Sequence, residues 1–364
     1  MPVGTVATVK ALYPEQVAAA GADILLANTY HLMLRPGPER IARLGGLHRF
    51  MRWDKPYLTM DYGYEAQTVR ELARFVERGS LYRQKKPVHW CIHCRTALAE
   101  AEVEYHDHVS QSVFVRFPLV GMPNTYVLIW TTTPWTLPAN LAISVHPDYE
   151  YVAYELNGRV LVVAKELLVK VLSEVAPDEL TVKPAQLPGA EGKVTFSAAV
   201  FAHPERLLGY AEGRQLEHLK YRHVFLDRVS PVILGEHVTL EAGSGLVHTA
   251  PGHGMDDYLV GLKYGLDIFA PVDAAGLLTA EAGEQLKGQH VSKVNPNVIA
   301  LLVEKKALLN SPDASFKHPY PVCWRCMKPV IYRATDQWFV SMEKTGLRQK
   351  CLEEINRVQW VPAW

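Results

Sequence analysis

Lys86-Pro87-Val88-His89-Trp90-Cys91-Ile92-His93-Cys94 is answered far downstream by Pro321-Val322-Cys323-Trp324-Arg325-Cys326. Each C-x₂-C turn can offer two thiolates, and two such turns give the four sulfur ligands that close a tetrahedral Zn²⁺ shell. The spacing therefore assigns one metal to Cys91, Cys94, Cys323 and Cys326, with Cys351 left over. Between the two turns lie 228 residues, far more than a compact zinc finger holds. The chain must fold its two ends together, so the metal is expected to staple the base of an inserted domain. A closed four-thiolate shell leaves no position for water, and the role is expected to be structural. Four unrelated cysteines or a redox pair are the other readings of the same residues.

The intervening sequence reads mainly as strands. Val113, Val115 and Phe117 alternate, Tyr126–Trp130 is a buried-type run, and Tyr149–Leu156 and Arg159–Ala164 flank the hairpin dipeptide Asn157-Gly158. Short strands at this spacing predict a small barrel with a few attached helices. Helices are predicted over Asp256–Lys263 and from Pro296 to about Lys306, with Asn295 as N-cap. Outside the cysteine turns, Glu65–Arg78 carries Val69, Leu72, Ala73 and Val76 on one face, with Gly79 beyond its end. Residues 1–53 hold a helical signal after Pro14, a strand-like Ile24-Leu25-Leu26-Ala27, and a short helix after Arg35-Pro36-Gly37-Pro38.

Composition narrows the function. The chain has 364 residues, 48% hydrophobic, with 38 basic and 38 acidic side chains. That suits one or two packed domains and argues against disorder. Balanced charge excludes a protein that coats nucleic acid generally, so any such surface is local. No apolar run is long enough to span a membrane and no signal peptide is legible, which with the cysteine usage points to the cytoplasm.

Two further segments are candidates for chemistry. Trp130-Thr131-Thr132-Thr133-Pro134-Trp135-Thr136-Leu137-Pro138-Ala139-Asn140 follows an apolar strand and could project several hydroxyls into one pocket. Taken alone it reads first as an ordinary sheet edge or turn. Gly245-Leu246-Val247-His248-Thr249-Ala250-Pro251-Gly252-His253-Gly254-Met255-Asp256-Asp257-Tyr258 brings two histidines and two carboxylates to a helix start. Acids in a first helical turn are common for dipole reasons alone, so residue type does not decide their role.

Together these segments resemble the middle of a class I isoleucyl-tRNA synthetase. The resemblance runs from about Trp53 to Trp364. It includes Tyr57-Leu58-Thr59-Met60-Asp61, the phrase around Cys91, Ala97-Leu98-Ala99-Glu100-Ala101-Glu102-Val103-Glu104-Tyr105 and Ala334-Thr335-Asp336-Gln337-Trp338-Phe339. The threonine peptide is of the isoleucyl kind; valyl and leucyl relatives typically read T-T-R-P-E/D-T there. Residues 1–53 resemble instead the start of a queuine-type tRNA-guanine transglycosylase, in Asn28-Thr29-Tyr30-His31-Leu32, Leu34-Arg35-Pro36-Gly37 and Gly45-Gly46-Leu47-His48.

The resemblance implies a mixed α/β chain in four parts. Residues 1–53 would be a fragment of a (β/α)₈ barrel, 54–105 a Rossmann flank with the first zinc knuckle, 106–319 a β-barrel-like editing domain, and 320–364 the second knuckle and returning Rossmann flank. Neither H-x-G-H nor K-M-S-K-S is present, so aminoacylation is expected to be absent and ATP to belong only to the intact family enzyme. The implied activity is hydrolysis of the Val-tRNA(Ile) ester, with the acceptor end of tRNA(Ile) as partner and neither membrane nor DNA involved. By resemblance Asp257 would hold the substrate α-ammonium, Thr131, Thr132 and Thr133 would contact the terminal adenosine and ester, and Asn140 would hold the site's geometry. His248 would line the side-chain pocket, with Thr136, Trp135 and His253 beside it. The alternatives are a zinc-stapled tRNA-binding module, an inert chimeric remnant and, least of all, a transglycosylase; the oligomeric state is left open.

Overall fold

In a computed structural model the described residues are 61–179 and 204–359, together with 16, 19, 38–43 and 59. Most of residues 1–53, and so the barrel-fragment expectation, lies outside them; the short helix expected after Arg35-Pro36-Gly37-Pro38 is there as Pro38–Arg43, beginning on the last residue of that turn. The chain divides into two compact units, one of Met1–Tyr82 with Phe339–Trp364 and one of Arg83–Trp338.

In the first unit, α1 (Tyr62–Glu77) starts on Asp61, whose carboxylate accepts the Gly63 N–H at 2.9 Å. Such a cap satisfies one of the orphan donors of the first turn. The stripe of Val69, Leu72 and Val76 is exposed. This unit also holds a C-terminal helix, Leu347–Arg357, which carries the exposed Cys351.

The second unit holds the strands. In chain order these are β1 (Leu81–Cys91, starting in the first unit), β2 (Thr96–Leu98), β3 (Val103–Gln111), β4 (Val113–Pro118), β5 (Thr125–Thr131), β6 (Ala142–Val145) and β7 (Glu150–Leu156). They continue as β8 (Arg159–Ala164), β9 (Leu207–Glu212), β10 (Lys220–Arg222), β11 (Val229–Leu234), β12 (Leu246–Thr249), β13 (Ser315–Cys323) and β14 (Ile331–Val340). A five-stranded sheet runs β4-β5-β8-β7-β9 and a four-stranded one β10-β11-β6-β12. These two sheets pack over one shared core, with β12 against β5 and β10 against β4, and a bridge joins Leu119 to Tyr221. β13 and β3 form a long antiparallel ribbon, and β14-β1-β2 a small third sheet.

The predicted hairpin is present, pairing Leu156 with Arg159 around Asn157 (φ 52°) and Gly158 (φ 73°). Two positive φ values in a two-residue loop match the twist of the strands. The sheets enclose Val113, Phe117, Ile129, Ile143, Val163 and Leu172, all buried. Three buried tyrosines keep their hydroxyls satisfied. Tyr151 donates to Gly245 O at 2.9 Å, Tyr154 to Glu179 at 2.8 Å and Tyr221 to Asn140 Oδ1 at 2.6 Å. The helix expected from Pro296 begins one residue earlier, at Asn295, with Val294 at the cap. Among the described residues no helix is long and apolar enough to cross a membrane.

A Cβ at Gly158 would meet nothing within 4 Å, so only backbone conformation opposes a substitution there. Gly158→Val should therefore cost about 1–2 kcal/mol in urea unfolding, the penalty of a left-handed residue, with the m-value unchanged.

Candidate functional site: an open cavity and a four-cysteine cluster

Cys91 ends β1, Cys94 lies in the turn to β2, Cys323 ends β13 and Cys326 lies in the turn that follows. The four sulfurs lie within 4.8 Å of one another, and Cys91 Sγ is 3.6 Å from Cys326 Sγ. Zinc–thiolate bonds of about 2.3 Å make the edge of a tetrahedron about 3.8 Å, so the donor set fits that ion. The two turns match in backbone as well: the residue after each second cysteine is left-handed, Arg95 at φ 54° and Met327 at φ 55°. In the first turn the Cys94 N–H points at Cys91 Sγ, 3.2 Å away, as a bound thiolate requires.

The threonine-rich peptide divides at the end of β5. Thr131 closes the strand, accepting the Thr133 N–H on Oγ1 at 3.1 Å, and Pro134–Ala139 then turns inward as a fully buried 3₁₀ segment. Behind it runs a closed polar relay. Asn140 Nδ2 donates to Ala142 O and to His248 Nδ1, both at 2.9 Å, which leaves the proton on His248 Nε2. That N–H meets Thr136 Oγ1 at 3.1 Å, and the Thr136 hydroxyl passes on to Thr133 O at 2.8 Å. Burial pushes the His248 pKa down to about 3, with His223 and His253 adding to it, so the ring stays neutral.

In front of this relay lies a cavity of about 490 Å³. Thr131 and Thr132 line one side, Gly243–Val247 another, and Gly254, Met255, Asp256, Asp257 and Tyr332 a third. Of the expected site residues, the structure brings Thr131, Thr132 and Asp257 onto this one surface. Thr133, Trp135, Thr136, Asn140, His248 and His253 are not among the residues lining it. Trp135 meets His253 edge to face at 5.0 Å, and His253 Nδ1 donates to Tyr332 O at 2.9 Å. Burial brings His253 down to about 4.

Asp257 is set by its loop. It lies in the first turn of α3 (Met255–Lys263; α2 is Leu168–Val175) and accepts the Ala250 N–H on Oδ2 at 2.9 Å. A Cβ on Gly252 would stand 2.1 Å from Phe269 O, so only glycine lets the loop pass there. Burial raises the Asp257 pKa to about 7, opposed by the Ala250 N–H and assisted by the neighbouring Asp256. The cavity thus offers two threonines and an acid that needs a cation to ionise comfortably. Sequence reasoning missed His237, Thr239, Gly243 and Tyr332, which are also on the lining. Gly243 and Gly245, both at positive φ around Ser244, were the available signal for that loop; Tyr332 had none.

The model of tRNA synthetases class I (I, L, M and V) matches residues 28–364. The chain belongs to that family. Its match begins inside the segment that resembles a transglycosylase. Among relatives of this synthetase chain, the isoleucine–tRNA ligase of Petrotoga mobilis is 47% identical over 312 residues, covering 86% of this chain and 31% of the ligase. That of Syntrophotalea carbinolica is 48% identical over 337 residues, covering 90% and 33%. The chain therefore spans about a third of the length of these curated relatives. Among solved structures, the crystal structure of GlLeuRS-CP1 is 14% identical with a TM-score of 0.39, covering 56% of this chain and 99% of that one.

Two outcomes are expected of this synthetase chain. Metal analysis should find one zinc per chain, and Cys91→Ser or Cys323→Ser should lose it and lower the melting temperature. An acid whose pKa is higher folded than unfolded opposes folding once ionised. Asp257 should therefore cost the fold nothing below about pH 4, increasingly more up to about pH 7, and a constant amount above. Asp257→Asn, compared with the parent across pH 4–8, should gain relative stability over that window.

Proposed function

We propose that the cavity is a post-transfer editing site that hydrolyses the ester of Val-tRNA(Ile), in a fragment of an isoleucine–tRNA ligase. The carrying observation is that Thr131, Thr132 and Asp257 share one cavity, in a chain close to half identical to isoleucine–tRNA ligases. The need for a second site is energetic. Valine lacks one methylene of isoleucine, worth about 1–3 kcal/mol in an apolar pocket; isoleucine synthetases are themselves the standard illustration of that limit.

In this reading the Asp257 carboxylate receives the α-ammonium of the bound ester, and the charge it gains there lowers its pKa from the buried value. Thr131 and Thr132 contact the terminal adenosine and the ester and help hold the water. Thr133 acts through its backbone: its N–H sets the Thr131 hydroxyl and its carbonyl anchors Thr136. Water oxygen bonds to the ester carbon, the bond from that carbon to the ribose oxygen breaks, and a water proton goes to the departing oxygen. His248, Asn140 and Thr136 hold the wall in shape, and Trp135 and His253 brace the turn. Cys91, Cys94, Cys323 and Cys326 would hold Zn²⁺, which supplies cross-linking and no reaction step. The tRNA acceptor end is the partner.

Purified chain should release valine from Val-tRNA(Ile) and spare Ile-tRNA(Ile). Survival of both esters, with the chain folded and zinc-loaded, would instead indicate a tRNA-binding module. Asp257→Ala should lower the valine rate roughly 10- to 150-fold, the worth of a hydrogen bond to a charged group. The parent rate should rise about tenfold between pH 6 and pH 8 as Asp257 loses its proton, and the Asp257→Asn profile should lack that step.

A further inference from the structure

The β3–β13 ribbon carries a run of aromatic rings on one of its two faces. Register and alternation put His106, His108 and Ser110 of β3 on the same face as Tyr320, His318 and Phe316 of β13. The rings follow one another closely. His108 meets Tyr320 with centroids 5.1 Å apart, Tyr320 meets His318 at 5.8 Å, and His318 meets Phe316 at 5.9 Å. Phe316 then meets Trp130 edge to face at 5.1 Å, and Trp130 lines the cavity next to Thr131. The run thus leads from the ribbon onto the cavity's own wall.

Cross-strand stabilisation asks only for rings that face each other in register. Phe316 faces Ser110 instead, and it is 41% exposed, with His106 and His108 exposed along the same face. His318 is steadied by Ser110 Oγ, 2.9 Å from its Nε2. The two strands place a single carboxylate on this face, Glu104, which lies 3.3 Å from His106 Nε2. Asp107 is on the opposite face, paired with Lys317 at 2.7 Å. Accessible rings in a row, fixed by their strands and nearly free of acids, are what unpaired bases stack on. Alternate residues of a strand recur about every 6.6 Å, which suits nucleotides whose bases are splayed apart from one another.

We propose that this aromatic run is a docking track for the unpaired 3′ end of tRNA, on which the nucleotides before the terminal adenosine stack. This rests on the editing reading above, which puts the terminal adenosine and its ester at Thr131 and Thr132. A chain held there must leave past the lining, and Trp130 carries the lining over onto Phe316. Stacking tolerates any base, so the track supplies hold and direction and not sequence recognition.

The test is equilibrium binding of the full chain to tRNA(Ile) and to the same tRNA trimmed of its unpaired 3′ nucleotides. Initial rates of Val-tRNA(Ile) deacylation below saturation are measured alongside, and zinc content and circular dichroism report on the fold. Phe316→Ala and His108→Ala should each weaken binding of intact tRNA about 5- to 150-fold, the worth of one stacked base, and slow deacylation by a similar factor. Phe316→Trp should bind at least as tightly as the parent. Val109→Ala, exposed on the opposite face, should match the parent. All of these should bind the trimmed tRNA alike. A change of less than twofold on intact tRNA in both alanine variants, or an equal loss on the trimmed tRNA, overturns the inference; valine release by the parent then leaves the editing reading standing. A parent that hydrolyses neither ester removes that reading and, with it, the occupant of the track.

Discussion

The longest-range constraint in the cavity-bearing unit is the meeting of Cys91 and Cys94 with Cys323 and Cys326 across 228 intervening residues. Closing a loop of that length costs the unfolded chain about 5 kcal/mol of entropy on the usual cross-link estimate. A metal held by all four thiolates would return that cost to the folded state. The ribbon of β3 with β13 and the small sheet of β14, β1 and β2 then extend from the two knuckles, and these position the outer wall of the cavity. Through His89 on Tyr332, the staple and the wall are in van der Waals contact.

The second organising feature is the separation of two kinds of buried polar group. The Tyr221–Asn140–His248–Thr136 relay is complete: each donor meets an acceptor, and the imidazole is neutral. A satisfied network of this kind is rigid and chemically quiet. Asp257, a few residues along the same loop, has one backbone partner and a raised pKa, so it remains short of a cation. Quiet scaffold behind and unmet charge in front is the arrangement a cation-bearing substrate requires.

Much of this was legible from residue order. The Asn157-Gly158 hairpin, the helix before Gly79, the strand ending at Thr131 and the paired cysteine turns all rest on local rules: turn chemistry, periodicity and ligand spacing. The site was partly legible. Asp257, Thr131 and Thr132 line one cavity, and His248 is engaged at both ring nitrogens. No local pattern separates a lining histidine from a satisfied one, since the difference lies in Asn140 and Thr136, more than a hundred residues away.

The sequence by itself determined the chemistry on offer: four thiolates in two turns, a hydroxyl-rich strand end and an acid at a helix start. Short-range covalent spacing is enough for those. Tertiary structure alone decided which strands pair in each sheet, and that Tyr332 on β14 joins Thr131 and Asp257 on one cavity. Both follow from long-range pairing, whose free energy is set by which surfaces meet and not by neighbouring residues along the chain.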